Sequence, residues 1–250
     1  AFFNTQTSRV IINTMSKFIV LEGITSTGKT TQGKMLVDRL NVRGAESFFN
    51  HEPTISSPFG RLIRAVIEKD KYNRSDISLA KKLSITLSHP ALSKILLKLE
   101  RGQELTEIER QMLYIADRHE DLRNVIVPQI ARGIFCVQDR YELSTYAFAA
   151  TKNITYGKLS KLHSKLLNRF YVVPDILIYF DLDPEIAIER LSNASSKPVD
   201  IYETLPKIKK TRSAYIKLLK KKELYKKLYI IDSSQPLLSV FREICIKIGI

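Results

Sequence analysis

The residues best suited to chemistry begin at Gly23-Ile24-Thr25-Ser26-Thr27-Gly28-Lys29-Thr30, which fits G-x-x-x-x-G-K-[ST] without a substitution. Glycines at this spacing let backbone N–H groups turn inward around phosphate oxygens, and a helix that follows adds the positive end of its dipole. Lys29 then reaches the β- and γ-phosphates, and Thr30 offers a hydroxyl to Mg²⁺. A second group, Asp139-Arg140-Tyr141, leaves the apolar run Ile134-Phe135-Cys136-Val137. A carboxylate there is placed to hold the hydration shell of the metal opposite Thr30, and the adjacent arginine can fork onto a pair of phosphate oxygens. A third pair, Tyr114 and Arg118, stands four residues apart on a helical pattern and projects from one face. A flat ring beside a forked donor suits an aromatic base with carbonyl oxygens, although the spacing alone also fits a surface contact.

These groups need a frame. Phe18-Ile19-Val20-Leu21 predicts a short buried strand before the glycine loop, and Met35, Leu36, Leu40 and Val42 mark a helix from Thr30 to Arg43, closed by Gly44. Further strands are expected near Glu46–Asn50, at Ile134–Val137, Ile176–Phe180 and Leu228–Ile231. Helices are expected over Phe59–Lys69, from Ser75 to before Pro90, over Ser93–Arg101, from the capping box Thr106-Glu107-Ile108-Glu109 to Gly133 with a bend at Pro128, and over Tyr156–Phe170 and Pro184–Leu191. A basic helix and a last helix from Leu237 complete the order. Strands alternating with helices, the strands apolar throughout, imply a mainly parallel sheet covered on both faces. Right-handed crossovers put a ligand at the carboxyl ends of its strands, where the groups above are found.

At 250 residues and 44% hydrophobic content the chain can bury one good core, and no linker or internal repeat divides it. One domain is expected over 15–250, with 1–14 a flexible extension. No stretch reaches the roughly 18 apolar residues of a membrane span, and the first fifteen residues lack the apolar region of a secretory signal, so a cytoplasmic protein without a membrane partner is expected. Cys136 and Cys245 read as small core residues. The net charge of +14 raises a nucleic-acid reading, but its densest part, Lys207 to Lys227, has Leu205, Ile208, Tyr215, Leu218 and Leu219 inward and its lysines on the solvated face. No specific nucleic-acid binding is expected, since aromatics are not interleaved as stacking platforms.

Taken together, the glycine loop with its strand, Glu52-Pro53, Y-I-A-D-R at 114–118, D-R-Y-E-L-S-T-Y-A-F at 139–148, P-D-I-L-I-Y-F-D-L-D-P-E-I-A-I-E-R at 174–190 and the late I-D-S-S-Q-P resemble the thymidylate kinase family, in its order and from Lys17 to the end of the chain. The resemblance implies a three-layer α/β P-loop NTPase fold, with a mainly parallel five-stranded sheet, helices on both faces and a mobile lid. It implies transfer of the γ-phosphoryl of ATP to dTMP with Mg²⁺, by a homodimer. It carries roles onto matching positions. Gly23, Ser26, Thr27, Gly28, Lys29, Thr30 and Thr31 would hold the triphosphate, and Thr30 with Asp139 the metal. Tyr114 would stack on thymine and Arg118 bond its O4; Glu52, Pro53 and Thr25 would border the acceptor; Arg140 and Arg64 would hold its phosphate. Ser144 and Thr145 would meet the thymine edge, and Phe148 would crowd the sugar's 2′ carbon. Residues 192–203 resemble the lid, with Arg190 and Lys197 approaching the triphosphate and Tyr202 the acceptor; Ser233 lies in the turn beside adenine.

Departures from the pattern matter too. Thr25 stands where the family's loop usually has an acidic residue, which opens the choice of acceptor, and Ser26 is not the loop arginine of one subtype, so Lys197 is expected to supply transition-state charge. Thr54-Ile55 replace the small residues after Glu-Pro. The stretch between Gly60 and Tyr114 is longer than the family generally uses, with extra helices over about 75–105 that could cover the acceptor site, extend a dimer surface or do neither. Two rivals stay open: a kinase for another pyrimidine nucleotide or nucleoside (dUMP, UMP, CMP, thymidine), and a nucleotide-binding regulator.

Overall fold

A computed structural model of the chain describes residues 17–68, 70–86, 90–167, 170–193 and 204–250. Five strands form one all-parallel sheet in the order β2-β3-β1-β4-β5: β1 Phe18–Glu22, β2 Ser47–His51, β3 Phe135–Asp139, β4 Ile176–Asp181 and β5 Lys227–Asp232. Successive side chains of a strand point to opposite faces. Phe18, Val20, Cys136, Leu177 and Tyr179 therefore enter one apolar core. Ile19, Leu21, Val137, Ile178 and Phe180 enter a second, beyond the sheet. Burial on both faces is why β1 and β3 read as continuous rather than alternating.

The second core is closed by α1 Lys29–Val42 and α11 Leu237–Ile248, through Leu36, Leu40, Val240 and Ile244. The larger core lies under α2 Pro58–Glu68, α3 Arg74–Thr86, α4 Pro90–Glu100, α5 Glu107–Asp121, a π-helical turn Leu122–Ile126, α6 Val127–Ala131, α7 Glu142–Ala150, α8 Tyr156–Leu167, α9 Pro184–Asn193 and α10 Leu205–Leu218. The capping box forms at α5: the Thr106 hydroxyl accepts from Glu109 N–H, and the Glu109 carboxylate accepts from Thr106 N–H. Strain expected at Pro128 is taken up just before it, in the π-helical turn, so that Pro128 sits in the first turn of α6, where a missing N–H costs nothing.

Several expectations shift. Val42 is 81% exposed, because α1 turns that side away from the sheet. The helix expected from Ser93 begins at Pro90, which suits a first helical position. Residues 142–150, singled out for their chemistry, form a helix of their own. Among the described residues no helix is long and apolar enough to cross a membrane. The extra helices pack outward on α2 and α5, tied by Arg61 to Asp76 and Lys98 to Glu109 at 2.7 Å each, with Ile77, Leu92, Ile95 and Leu99 buried beneath them.

Candidate active site

All five strands end on one side, and β1 runs straight into the glycine loop. Gly23 lies so near β4 that a Cβ would come within 2.6 Å of the Phe180 carbonyl oxygen, and its φ of +150° is one that side chains rarely adopt. Inside the loop Lys29 turns back, its Nζ 2.6 Å from the Ile24 carbonyl oxygen and 3.0 Å from Thr27 Oγ1. Burial, and then the Arg140 charge, pull its ammonium down to about 7. Thr30 Oγ1 donates to Asp139 Oδ2 at 2.5 Å, although the two residues are 109 apart in sequence. The other oxygen, Oδ1, is buried with no partner among the described residues. A hydroxyl beside a carboxylate with a spare buried oxygen fits a hard divalent cation. No group of three or more His, Cys, Asp or Glu is placed to ligate a metal among the described residues. Such an ion would therefore take its remaining ligands from phosphates and water, as Mg²⁺ commonly does.

Arg190, on α9, reaches the same loop from the far side. Its Nη1 lies 3.4 Å from the Ser26 carbonyl oxygen and its Nη2 3.4 Å from that of Ser234, so it spans the glycine loop and the turn after β5. Ser233 in that turn is anchored by its N–H on the Asp181 carbonyl oxygen at 2.8 Å. Thr31 is exposed on the first turn of α1, and Thr25 is half-buried in the loop.

Arg140 holds an unusual backbone, φ +68°, at the exit of β3. A non-glycine residue there is strained, which is typical of positions whose side chain must be aimed. Its N–H is fixed on the Leu21 carbonyl oxygen, and its Nη1 lies 3.1 Å from the Gly23 carbonyl oxygen and 3.2 Å from Ser144 Oγ, with the guanidinium over the Phe148 ring. Arg140 therefore stands between the glycine loop and the next cavity. Glu22 supports it from beneath. This fully buried carboxylate accepts from Tyr141 N–H, Ser144 N–H, Ser144 Oγ and Tyr215 OH at 2.7–3.1 Å. Burial raises its pKa, and those hydrogen bonds with Arg140 pull it back. Sequence reading passed over Glu22 as the end of a strand, yet an acid directly before the glycine loop in an apolar run was signal enough.

Beyond Arg140 lies a cavity of about 80 Å³ that brings together Glu52, Pro53, Tyr114, Arg118, Arg140, Ser144, Thr145 and Phe148 from three separate segments, with Ile67 on a fourth. Ile67 and Gln111 complete it. Of the expected acceptor residues that the structure describes, only Thr25 and Arg64 are not in this lining. Arg64 is adjacent, with Nη2 3.3 Å from the Pro53 carbonyl oxygen and Nε buried without a partner among the described residues. Lys197 and Tyr202, with the lid expected over 192–203, lie outside the described residues from 194 onward.

Arg118 is wholly buried and clamped rather than free. Nε donates to Glu52 at 2.8 Å, Nη2 to Glu52 and to Thr145 Oγ1, and Nη1 to His163 Nε2 at 2.6 Å. Arginine can only donate, so Nε2 of His163 must be the acceptor and its Nδ1 carries the proton that meets the Leu159 carbonyl oxygen. Burial, with the Arg118 charge beside it, holds His163 well below its usual range and hence neutral. Burial also works against the Arg118 charge, but the Glu52 carboxylate more than offsets this and keeps the guanidinium protonated. Four of the five guanidinium N–H groups are engaged, which leaves one on Nη1.

Two residues of α5 that sequence reading missed explain the rest. Asp117 accepts from Thr54 N–H at 2.9 Å and from its hydroxyl, so the bulkier Thr54 is fastened by a buried carboxylate and stays out of the cavity. Gln111 is fully buried; its Nε2 donates to Glu107 at 2.5 Å, while its Oε1 has no partner among the described residues. Residues 111, 114 and 118 recur at helical spacing, so the signal existed, but a glutamine three residues ahead of an aromatic is common on any helix.

Comparison with known proteins agrees with this geometry. The family model for thymidylate kinase matches residues 21–244. A thymidylate kinase of Leptospira interrogans is 33% identical over 205 residues, 82% of each chain, and that of Leptospira borgpetersenii is 31% identical over 207 residues, 83% of each. A probable thymidylate kinase of Pyrococcus abyssi is 27% identical over 227 residues, 91% of this chain and 93% of its own. The chain belongs to the thymidylate kinase family.

Proposed function

We propose that this chain transfers the γ-phosphoryl group of ATP to dTMP, giving dTDP and ADP. The observation that carries this reading is the cavity beyond Arg140, which sets an aromatic ring, a clamped arginine and a buried glutamine next to a phosphate-binding loop. A dTMP phosphate oxygen attacks the γ-phosphorus in line, and the β–γ bridging oxygen leaves with ADP; positioning and charge suffice without a covalent intermediate.

Each residue has a part in this. The glycine loop and Lys29 take the β- and γ-phosphates once Lys29 gives up the Ile24 carbonyl oxygen. Thr30 and Asp139 would hold Mg²⁺, which when bound neutralises charge on the transferring group. Arg140 gives up a carbonyl oxygen for the acceptor phosphate, and the unpaired Nε of Arg64 gives that phosphate a second buried donor. In the base site the last N–H of Arg118 donates to thymine O4, and Gln111 Oε1 accepts from N3–H, with Tyr114 against the ring face. Cytosine lacks that N3–H, so it would face the oxygen with a lone pair. Phe148 lies against the sugar. The cavity is smaller than a nucleotide, so dTMP enters by turning side chains at its mouth. Arg190 and the Ser233 turn border the adenine end, and the protein works as a homodimer, which light scattering tests.

The test is a panel of dTMP, dUMP, UMP, CMP and thymidine with ATP and Mg²⁺, read by transfer of labelled phosphate. The highest kcat/KM is expected for dTMP, with dUMP next and CMP far behind. CMP accepted as well as dTMP would refute the base-site assignment, thymidine accepted as well as dTMP would refute the acceptor-phosphate site of Arg140 and Arg64, and no transfer to any acceptor would favour a regulator.

A further inference from the structure

A cavity of about 540 Å³ lies apart from the one described above. It opens between α7 and α10. Ser144, Thr145 and Phe148 face the acceptor from one side of α7, whereas Tyr146 and Ala150 line this cavity from the other. Lys209, Lys210, Lys217 and Lys221 border it, and among the described residues no carboxylate does. Lys209 meets Glu185 and Lys221 meets Glu223 at the edge, but Lys210 and Lys217 have no ion-pair partner among the described residues. Seven residues apart, they stand on one face of α10. The Tyr146 and Tyr156 rings meet edge to face at 4.8 Å between centroids. The Tyr146 hydroxyl donates inward to the buried Glu142 and that ring is nearly closed off, whereas the half-buried Tyr156 ring, its hydroxyl on Glu223, faces the cavity with Lys221 Nζ 4.2 Å from its centroid.

A concave site of this volume falls within the ~300–1,000 Å³ of small-ligand pockets. Lysines bind phosphate as point charges, and an aromatic wall stacks any base. We propose that this cavity is a second nucleotide site, which takes a nucleoside triphosphate with its phosphates on Lys210 and Lys217 and its base against Tyr156, in the place where Lys221 now rests.

The test is calorimetric titration of the full chain with ATP in the absence of dTMP, so that no transfer occurs. Wild-type protein is expected to bind ATP at the glycine loop and at a second, weaker site. The K210E/K217E double variant should lose only the second, with turnover of dTMP and melting temperature unchanged, since both lysines are exposed. Lys29→Ala should weaken only the first. A single site in the wild type, or a second site that survives in the double variant, overturns the proposal. Inorganic tripolyphosphate separates a nucleotide from a bare phosphate ligand: it should bind the second site roughly tenfold or more weakly than ATP, the worth of a stacked base. Equal affinities would overturn the nucleotide assignment.

Discussion

The two ends of the candidate active site are built by different means. At the phosphate end the binding groups are mostly backbone: a glycine loop folded against β4, with Lys29 resting on one of its own carbonyl oxygens. At the acceptor end they are side chains, several of them buried and held by their neighbours: Arg118 by Glu52, Thr145 and His163, and Ser144 by Glu22 and Tyr215. A backbone cradle tolerates changes in surrounding sequence because its donors come with the chain. A side-chain pocket in low dielectric does not, since each member left unpaired is costly. On the proposed reading, the first end takes the phosphates and the second would set the choice of acceptor.

The contrast is broken most directly at Lys29. Lys29→Ala should lower kcat by at least ~10²-fold, the scale of losing one preorganised charge stabiliser, and leave the melting temperature nearly unchanged. Turnover within a few-fold of wild type would remove the lysine from the transfer step. At the other end stability and affinity should fall together. Arg118→Ala strands the Glu52 carboxylate, which for a broken buried pair costs about 3–5 kcal/mol, and should raise the KM for dTMP at least ~10-fold with little change in that for ATP. Equal changes in both constants would show that Arg118 does not serve the base.

Gln111→Leu sharpens the comparison. Losing one acceptor should cost dTMP roughly tenfold in kcat/KM and CMP almost nothing, narrowing the ratio between them. An unchanged ratio would place the Gln111 oxygen elsewhere. The smallest effect concerns pH and belongs to the phosphate end alone. In the free protein Lys29 titrates at about 7, and a bound phosphate raises that value. Below pH 7 the ammonium is present in both states and ATP affinity is level; above it, binding must take up a proton, so affinity falls by at most ~10-fold per pH unit. Titrations from pH 6 to 9 should show this decline for ATP, and Lys29→Met should abolish it.

How much of this could be read in advance follows the same division. The glycine loop, its strand and its helix are contiguous, so pattern and position gave them together, and the order of strands and helices followed from period. Asp139 was found because it ends an apolar strand, which its bond to Thr30 repays. The acceptor pocket draws on four segments, and its members were found through likeness to a family rather than through local spacing. Asp117 and His163 escaped because each is an ordinary residue at its place in sequence and becomes special only when folding brings a partner tens of residues away into bonding distance. Gln111 bonds Glu107, one turn back, and its spare oxygen matters only once the cavity forms around it, while the local signal at Glu22 was passed over. The exposure of Val42 has the same origin, since period alone cannot say how wide a face its neighbours cover.

Gly60, in the first turn of α2, passes so near Thr54 that a Cβ would fall 1.9 Å from its carbonyl oxygen. That helix and the segment carrying Glu52 and Pro53 are thus locked like a tenon in its mortise. Even a methyl group at position 60 would have to part them, pulling Thr54 from Asp117. Gly60→Ala is accordingly expected to lower the melting temperature and to loosen dTMP while ATP binding stays intact. A residue that touches no nucleotide would then govern which nucleotide is accepted.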